Sequence, residues 1–291
     1  MKQVFLVILL AFGFVVGAQN KIVKKPKKQK PATTQVAPKK HKSQSKPTKG
    51  GTVKRVATKA SYSNGTLTVN GIKYNMVWVD GGTFRMGATS ELGSEISDEK
   101  PVHSVTLSGY YIGKTEVTQA LWQAVMGSNP SYFEGDGLPV EQVSWDDCQE
   151  FIRKLNSLTG QNFRLPTEAE WEFACRGGNN SRGYKYSGSN YIDNVAWYDG
   201  NSGDKTHPVA TKSPNELGIY DMSGNVWEWC ADWYGDYSSG RQTNPKGPYG
   251  GSDRVNRGGS WYFFVRYCRS SDRYGDDPAR RNYGLGLRLA L

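Results

Sequence analysis

Histidine is scarce in this chain, with 3 among 291 residues. His41, His103 and His207 offer no pair at metal-ligand spacing, and no two-histidine-one-carboxylate set can be read. An iron centre is therefore not expected, and His103 and His207 read as ordinary hydrogen-bonding residues. Cysteine is nearly as rare: Cys148, Cys175, Cys230 and Cys268. No Gly-x-Gly-x-x-Gly or phosphate-loop pattern follows a strand, and there is no nucleophile elbow. These absences argue against dinucleotide binding, phosphate loops and hydrolase triads. The acidic side chains are missing from residues 1–60, which hold 15 of the 37 Lys and Arg and none of the 27 Asp and Glu. Residues 61–291 thus carry 22 basic against 27 acidic residues, a net of −5, although the whole chain is +10. No nucleic-acid partner is expected, because the basic character belongs to one segment.

Long hydrophobic runs are also lacking. Lys2 precedes an uncharged stretch, Val4 to Val16, that ends in Val16-Gly17-Ala18. A membrane span needs about 20 apolar residues, so residues 1–18 read as a signal peptide cleaved near Ala18. The expected location is periplasmic, cell-envelope or secreted, and without a nearby cysteine no lipoprotein anchor is expected. Residues 19–60 contain no aromatic residue and few aliphatics. Burial there cannot offset chain entropy, so the segment reads as a disordered basic linker. It is a solvated spacer or, alternatively, a tether to an anionic surface.

Residues 61–291 hold 30 of the 34 glycines and 33 of the 36 aromatic residues. That mixture implies many turns pinned by large side chains, in one α+β domain with a large irregular fraction. The spacing predicts a helix over 117–126 capped by Thr115, and another over 145–155 capped by Ser144. Thr167 and Glu170 predict a capping box for a third, over 169–175, stopped by Gly177-Gly178. Asn70-Gly71 predicts a hairpin between strands at 67–69 and 72–74. Short strands are also expected at 76–79, 84–86 and 103–107. Glu168, Glu170 and Glu172 read as capping and surface charge. Arg266, Arg269, Arg273, Arg280 and Arg281 are expected to pair with acids rather than line a groove for an anionic ligand.

An ordered series of segments carries a further implication. They are Met76-Val-Trp-Val-Asp-Gly-Gly-Thr-Phe-Arg-Met-Gly87, Lys114-Thr-Glu-Val-Thr118, Pro139-Val-Glu-Gln-Val-Ser-Trp145 and Arg164-Leu-Pro-Thr-Glu-Ala-Glu-Trp-Glu-Phe173. Asn215-Glu-Leu-Gly-Ile-Tyr-Asp-Met-Ser-Gly-Asn-Val-Trp-Glu-Trp229, Arg254-Val-Asn-Arg-Gly-Gly-Ser-Trp261 and Gly286-Leu-Arg288 follow. The series resembles the sulfatase-modifying-factor family, whose founding activity is formylglycine generation, and covers about 76–291. The resemblance implies an irregular, loop-rich C-type-lectin-like fold.

It also implies a copper(I) site of two cysteines, three and eight residues after the serine of Gly-Gly-Ser. Here those positions after Ser260 are Phe263 and Cys268, and a substrate-contacting histidine of the family is Phe264. Phenylalanine cannot ligate a metal, so a two-thiolate copper site is not expected there. Cys175 matches a family cysteine whose disulfide partner falls on Leu289, which loses that bridge. Cys230 is expected to approach Cys268, as a structural disulfide or as a displaced copper site. Two calcium sites are implied by the resemblance. One comprises the Asp221 and Glu228 side chains with the carbonyls of Gly224 and Val226. The other comprises Asn194, the Val195 carbonyl, Asn201 and the Gly203 carbonyl. The expected function is a calcium-stabilised binding or structural protein with a peptide or glycan partner in the cell envelope. The alternative is a thiol oxidase using Cys268, Ser260 and Trp227, with Phe263, Phe264 and Arg266 along its substrate groove.

Overall fold

Asn70 and Gly71 both adopt positive φ, 50° and 87°, the pair of angles that a tight two-residue hairpin requires. In the computed structural model, which describes residues 58–88 and 98–291, this turn joins β2 (Thr66–Val69) to β3 (Ile72–Val79). The expected signal peptide and nearly all of the basic linker lie outside the described residues. β1 (Ala60–Ser63) and β6 (Tyr110–Gly113) complete a four-stranded sheet in the order β1-β2-β3-β6. The expected strands at 72–74 and 76–79 are one strand, β3. Its Tyr74, Met76 and Val79 point into the core.

A second sheet joins β4 (Gly82–Met86) to β5 (His103–Leu107), with β8 (Gln242–Thr243) parallel to β5. The third carries Trp227 and Tyr274 of the candidate site. Its order is β10 (Arg273–Asp276), β9 (Arg254–Arg257), β7 (Trp227–Trp233) and β11 (Leu285–Leu287). β11 runs parallel to β7, with Leu285 opposite Trp227. A register shift between Trp229 and Trp233 bends β7 against β9.

α1 (Gln119–Met126) begins two residues later than expected and is capped by Thr118, not Thr115. The cause is tertiary: the Val117 N–H bonds the Leu287 carbonyl and Thr118 bridges Pro139, so residues 117–118 are held extended. α2 (Trp145–Thr159) starts at the Ser144 cap and runs past Leu155 to Gly160, whose φ of 69° closes it. α3 (Glu168–Cys175) keeps the Thr167–Glu170 capping box. A single-turn α4 (Ile192–Val195) follows. Helices α1 and α2 bury Leu121, Trp122, Phe151 and Leu155 against Leu67, Val69, Trp229 and Leu287. α3 packs Trp171 and Phe173 among Val79, Val105, Cys230 and Val255. Each such apolar side chain contributes about 1.5–3 kcal/mol on burial.

The glutamates of α3 differ from expectation. Glu170 does cap, and it also pairs with Arg164 at 2.6 Å. Glu168 and Glu172 are buried, not surface charges. Glu168 takes Arg273 at 2.7 Å, and Glu172 takes Arg257 and, at 2.9 Å, Arg176. A charge buried against a cation keeps its ionised form, and the two arginines hold Glu172 below the ordinary carboxylate range despite burial. Four of the five C-terminal arginines pair as expected: Arg269 with Glu99 and Asp272, Arg273 with Glu168, Arg280 with Asp276, and Arg281 with Asp147.

Candidate functional site

Ser260 follows β9 and is fully buried, with a hydroxyl that has no partner among the described residues. Trp227 starts β7 and is almost fully buried nearby. Phe263 stands edge-on to Trp227, with ring centroids 5.4 Å apart and planes at 88°. It also packs on Tyr262 at 4.7 Å and Tyr267 at 5.2 Å. The phenylalanine therefore does not leave a gap where the resemblance placed a cysteine. Its ring joins the aromatic wall of a small pocket of about 100 Å³, lined by Trp227, Tyr262, Tyr274, Leu285 and the Asp276–Arg280 pair.

Cys268 is set apart from that pocket. It closes the short turn 265–268, is fully buried, and packs with Tyr186 and Val195. Burial pushes its thiol far above the ordinary range, and Asp272 adds to the rise, the opposite of what a thiolate ligand or nucleophile needs. Gly259, with φ of 76°, lets the chain pass here: a Cβ on it would come within 2.8 Å of the Cys268 sulfur. The expected Cys230–Cys268 bridge is not formed, and all four cysteines are free. Cys230 lies in the core beside Trp171 and Val255, whereas Cys268 belongs to the separate Tyr186–Val195 cluster.

The surface around the pocket is aromatic over a wider area than the sequence suggested. Phe264 is 62% exposed, Tyr132 71%, Tyr274 48% and Tyr283 41%. Ring contacts connect the three tyrosines, from Tyr132 through Tyr283 and Tyr262 to Phe263, Trp227 and Tyr274. Phe133 and Trp261 extend the cluster at its Tyr132 end. Arg266 lies over the Tyr267 ring, 4.5 Å from its centroid. Beneath the Tyr132–Phe133 loop, buried Glu141 accepts the N–H groups of Tyr132 (2.6 Å) and Phe133 (2.9 Å). Sequence reading found Phe263, Phe264 and Arg266. It missed Tyr132, Tyr274 and Tyr283, whose only signal was their exposure-prone, turn-rich neighbourhoods.

Residues 66–291 match the Sulfatase-modifying factor enzyme 1-like domain. The chain belongs to the sulfatase-modifying-factor family. It is 37% identical over 262 residues to a chaperone protein, LppX, of Paenibacillus barcinonensis, covering 73% of this chain and 86% of that one. A formylglycine-generating enzyme of Streptomyces coelicolor is 30% identical over 285 residues, covering 74% and 88%. Among solved structures, Treponema denticola variable protein 1 superposes with a TM-score of 0.70 at 37% identity, covering 77% of this chain and 97% of that one. The α+β, C-type-lectin-like fold expected from the sequence is the fold of this family.

The calcium positions implied by the sulfatase-modifying-factor pattern differ in how well they suit an ion. Asp221 and Glu228 are buried near a third carboxylate, Glu116, and Arg288 is the cation of the group. Arg288 donates to both oxygens of Glu228, at 2.6 and 2.9 Å, and the Trp171 indole adds 2.7 Å. Asp221 accepts the Ala210 N–H at 2.7 Å, and burial pushes its pKa up to about 6. Burial, then Asp221, drives Glu116 well above the carboxylate range. Three buried carboxylates thus crowd one guanidinium, and the repulsion favours the protonated forms of Glu116 and Asp221 unless a cation offsets it. In the first set, calcium would be held by Asp221 with the Gly224 and Val226 carbonyls, whereas both Glu228 oxygens are already taken by Arg288 and the Trp171 indole. The second set does not fit. Asn194 is exposed, and the Asn201 amide is spent within its own loop, on Asp193, Ala196 and Tyr198. Lys212 already brings a positive charge there, bonded to the Asp193 carbonyl at 2.7 Å and lying over Trp197, so Val195 and Gly203 gain no buried anion as co-ligand.

Proposed function

We propose that this family member is an exported binding protein of the cell envelope that presents its aromatic face to a peptide segment and carries out no formylglycine generation. The single observation that carries this reading is Phe263. Its ring occupies the position of a copper ligand and packs on Trp227, while the remaining thiol, Cys268, is buried and held protonated. A soft metal needs thiolates that converge and can shed protons. Exposed aromatic rings around a pocket of about 100 Å³ suit an aliphatic side chain at the centre of a peptide contact. The relative named a chaperone and the one named a variable protein support binding over catalysis. Calcium at Asp221 stabilises the scaffold in this reading, and the basic segment acts as a spacer from the envelope.

One observation favours the oxidase alternative: the buried, unpartnered Ser260 hydroxyl, which reaches Gly284, the residue whose carbonyl accepts the Trp227 N–H; the family pattern places Ser260 and Trp227 at its oxygen pocket. The deciding experiment incubates the protein with a Cys-x-Pro-x-Arg peptide, copper(I) and oxygen, and looks for aldehyde by mass spectrometry. Aldehyde formation overturns the binding reading. Its absence, together with capture of an envelope peptide that Phe264→Ala and Tyr274→Ala both weaken, supports it. A glycan captured instead would redirect the partner class.

A further inference from the structure

Arg273 and Tyr274 are neighbours in β10 and so point to opposite faces of the sheet. Tyr274 joins the aromatic face. Arg273 lines a separate cavity of about 240 Å³ between α3 and the loop at 235–248. Its wall includes Met86, Ala169, Pro245 and Pro248, which are apolar. Most of its polar groups are satisfied. Arg273 donates twice to Glu168 at 2.7 Å and once to the Gly235 carbonyl at 2.8 Å. Tyr237 donates to Glu168, and the His103 ring bonds the Pro101 carbonyl and packs on Tyr237.

Asp232 is the exception. It is 4% exposed and lines the cavity. One oxygen accepts the Glu168 N–H at 2.9 Å at the start of α3, and the other has no partner among the described residues. Asp236, exposed at the rim, adds a second negative charge. The buried contact left open is one Asp232 carboxylate oxygen, in a cavity whose wall mixes polar side chains with the apolar Met86, Ala169, Pro245 and Pro248. A planar guanidinium binds best through two carboxylate oxygens, and one of Asp232's is taken. A divalent ion needs several converging ligands, and among the described residues no three His, Cys, Asp or Glu side chains of this cavity come together as a metal-holding group. A compact ammonium on a chain of methylenes meets both the single oxygen and the apolar wall.

We propose that the cavity between α3 and the 235–248 loop receives a lysine side chain of a partner protein, with the ammonium on Asp232. The test titrates the full chain with Nα-acetyl-lysine methylamide and follows amide resonances of Ala169, Gly235, Tyr237 and Gly247 by NMR. Saturable shifts with a Kd of about millimolar order are expected. Acetylation of the probe's Nε should weaken binding about tenfold or more, the value of a charge-assisted hydrogen bond. The arginine analogue should bind more weakly than lysine. Asp232→Asn retains an acceptor for the Glu168 N–H and should lose the same factor. No saturable shift, equal binding of the Nε-acetylated or arginine probe, or unchanged affinity in a folded D232N variant would each overturn the proposal. The probe comparisons need no variant and stand even if D232N fails to fold.

Discussion

Phe263 lies edge-to-face on Trp227, and the adjacent Phe264 points its ring to solvent. Two neighbouring phenylalanines thus have different tasks, one in packing and one at the surface. Phe263→Ala should lower stability by about 1–3 kcal/mol, because a half-buried ring leaves a partial cavity. Phe264→Ala should stay within about 0.5 kcal/mol of the parent. Thermal or urea unfolding checks both, and equal losses would refute the division.

Calcium should raise the melting temperature, and EDTA should lower it. A site filled at 100 times its Kd gains about 2.7 kcal/mol. Asp221→Asn keeps an acceptor for the Ala210 N–H and suits the φ of 58° at this position. It should remove the response to calcium, whereas Asn201→Ala should leave it intact. Differential scanning with and without EDTA reads the outcome, and a D221N response equal to the parent's would count against this site.

Arg288 and Glu228 are both buried, paired at 2.6 Å. Removing only the cation, as in Arg288→Met, leaves the glutamate beside Asp221 and Glu116. A loss of about 3–5 kcal/mol is expected. The double variant with Glu228→Gln should recover part of it. Chemical denaturation of the four members of the cycle gives the coupling, and a double variant no better than R288M would contradict the pairing argument.

Glu141 supports the loop that carries Tyr132 and Phe133. Burial raises its pKa from an ordinary 4.5 to about 7, against the pull of the two N–H bonds. The folded state therefore holds the proton more tightly than the unfolded state. Its contribution is fully present below about pH 4.5 and is lost as pH rises to about 7. Glu141→Gln keeps an acceptor but cannot titrate. The difference in stability between parent and E141Q should change across that window and be flat above it. A constant difference from pH 4.5 to 7.5 would show that Glu141 does not titrate as stated.

Local signals in the sequence located the elements well where backbone chemistry dictates them. Asn70-Gly71, Ser144 and Thr167 mark their turn and caps because each relies on its own side chain or φ. Thr115 failed as a cap because Leu287, 170 positions away, claims Val117. The same distance effect hid the ionic core. Glu168 and Glu172 look like surface charges on a short helix, and only the arrival of β9 and β10 brings Arg257 and Arg273 to them. At the site, the change of cysteine to Phe263 was legible. The burial of Cys268 and the spread of the aromatic face from Tyr132 to Tyr274 were not, because both depend on loops meeting across the third sheet.

The parallel placement of β11 beside β7 and the bridges of Ala290 to Ile112 and Arg164 set an order of events. The earliest sheet of the domain gains its last partners from residues synthesised some 180 positions later. Folding of such a topology is slow, because distant segments must meet before the contacts reward them. The nascent chain stays without these closing contacts until residue 290 has emerged. By the same logic, a deletion reaching Leu285 would remove the clasp of the fold rather than a frayed end.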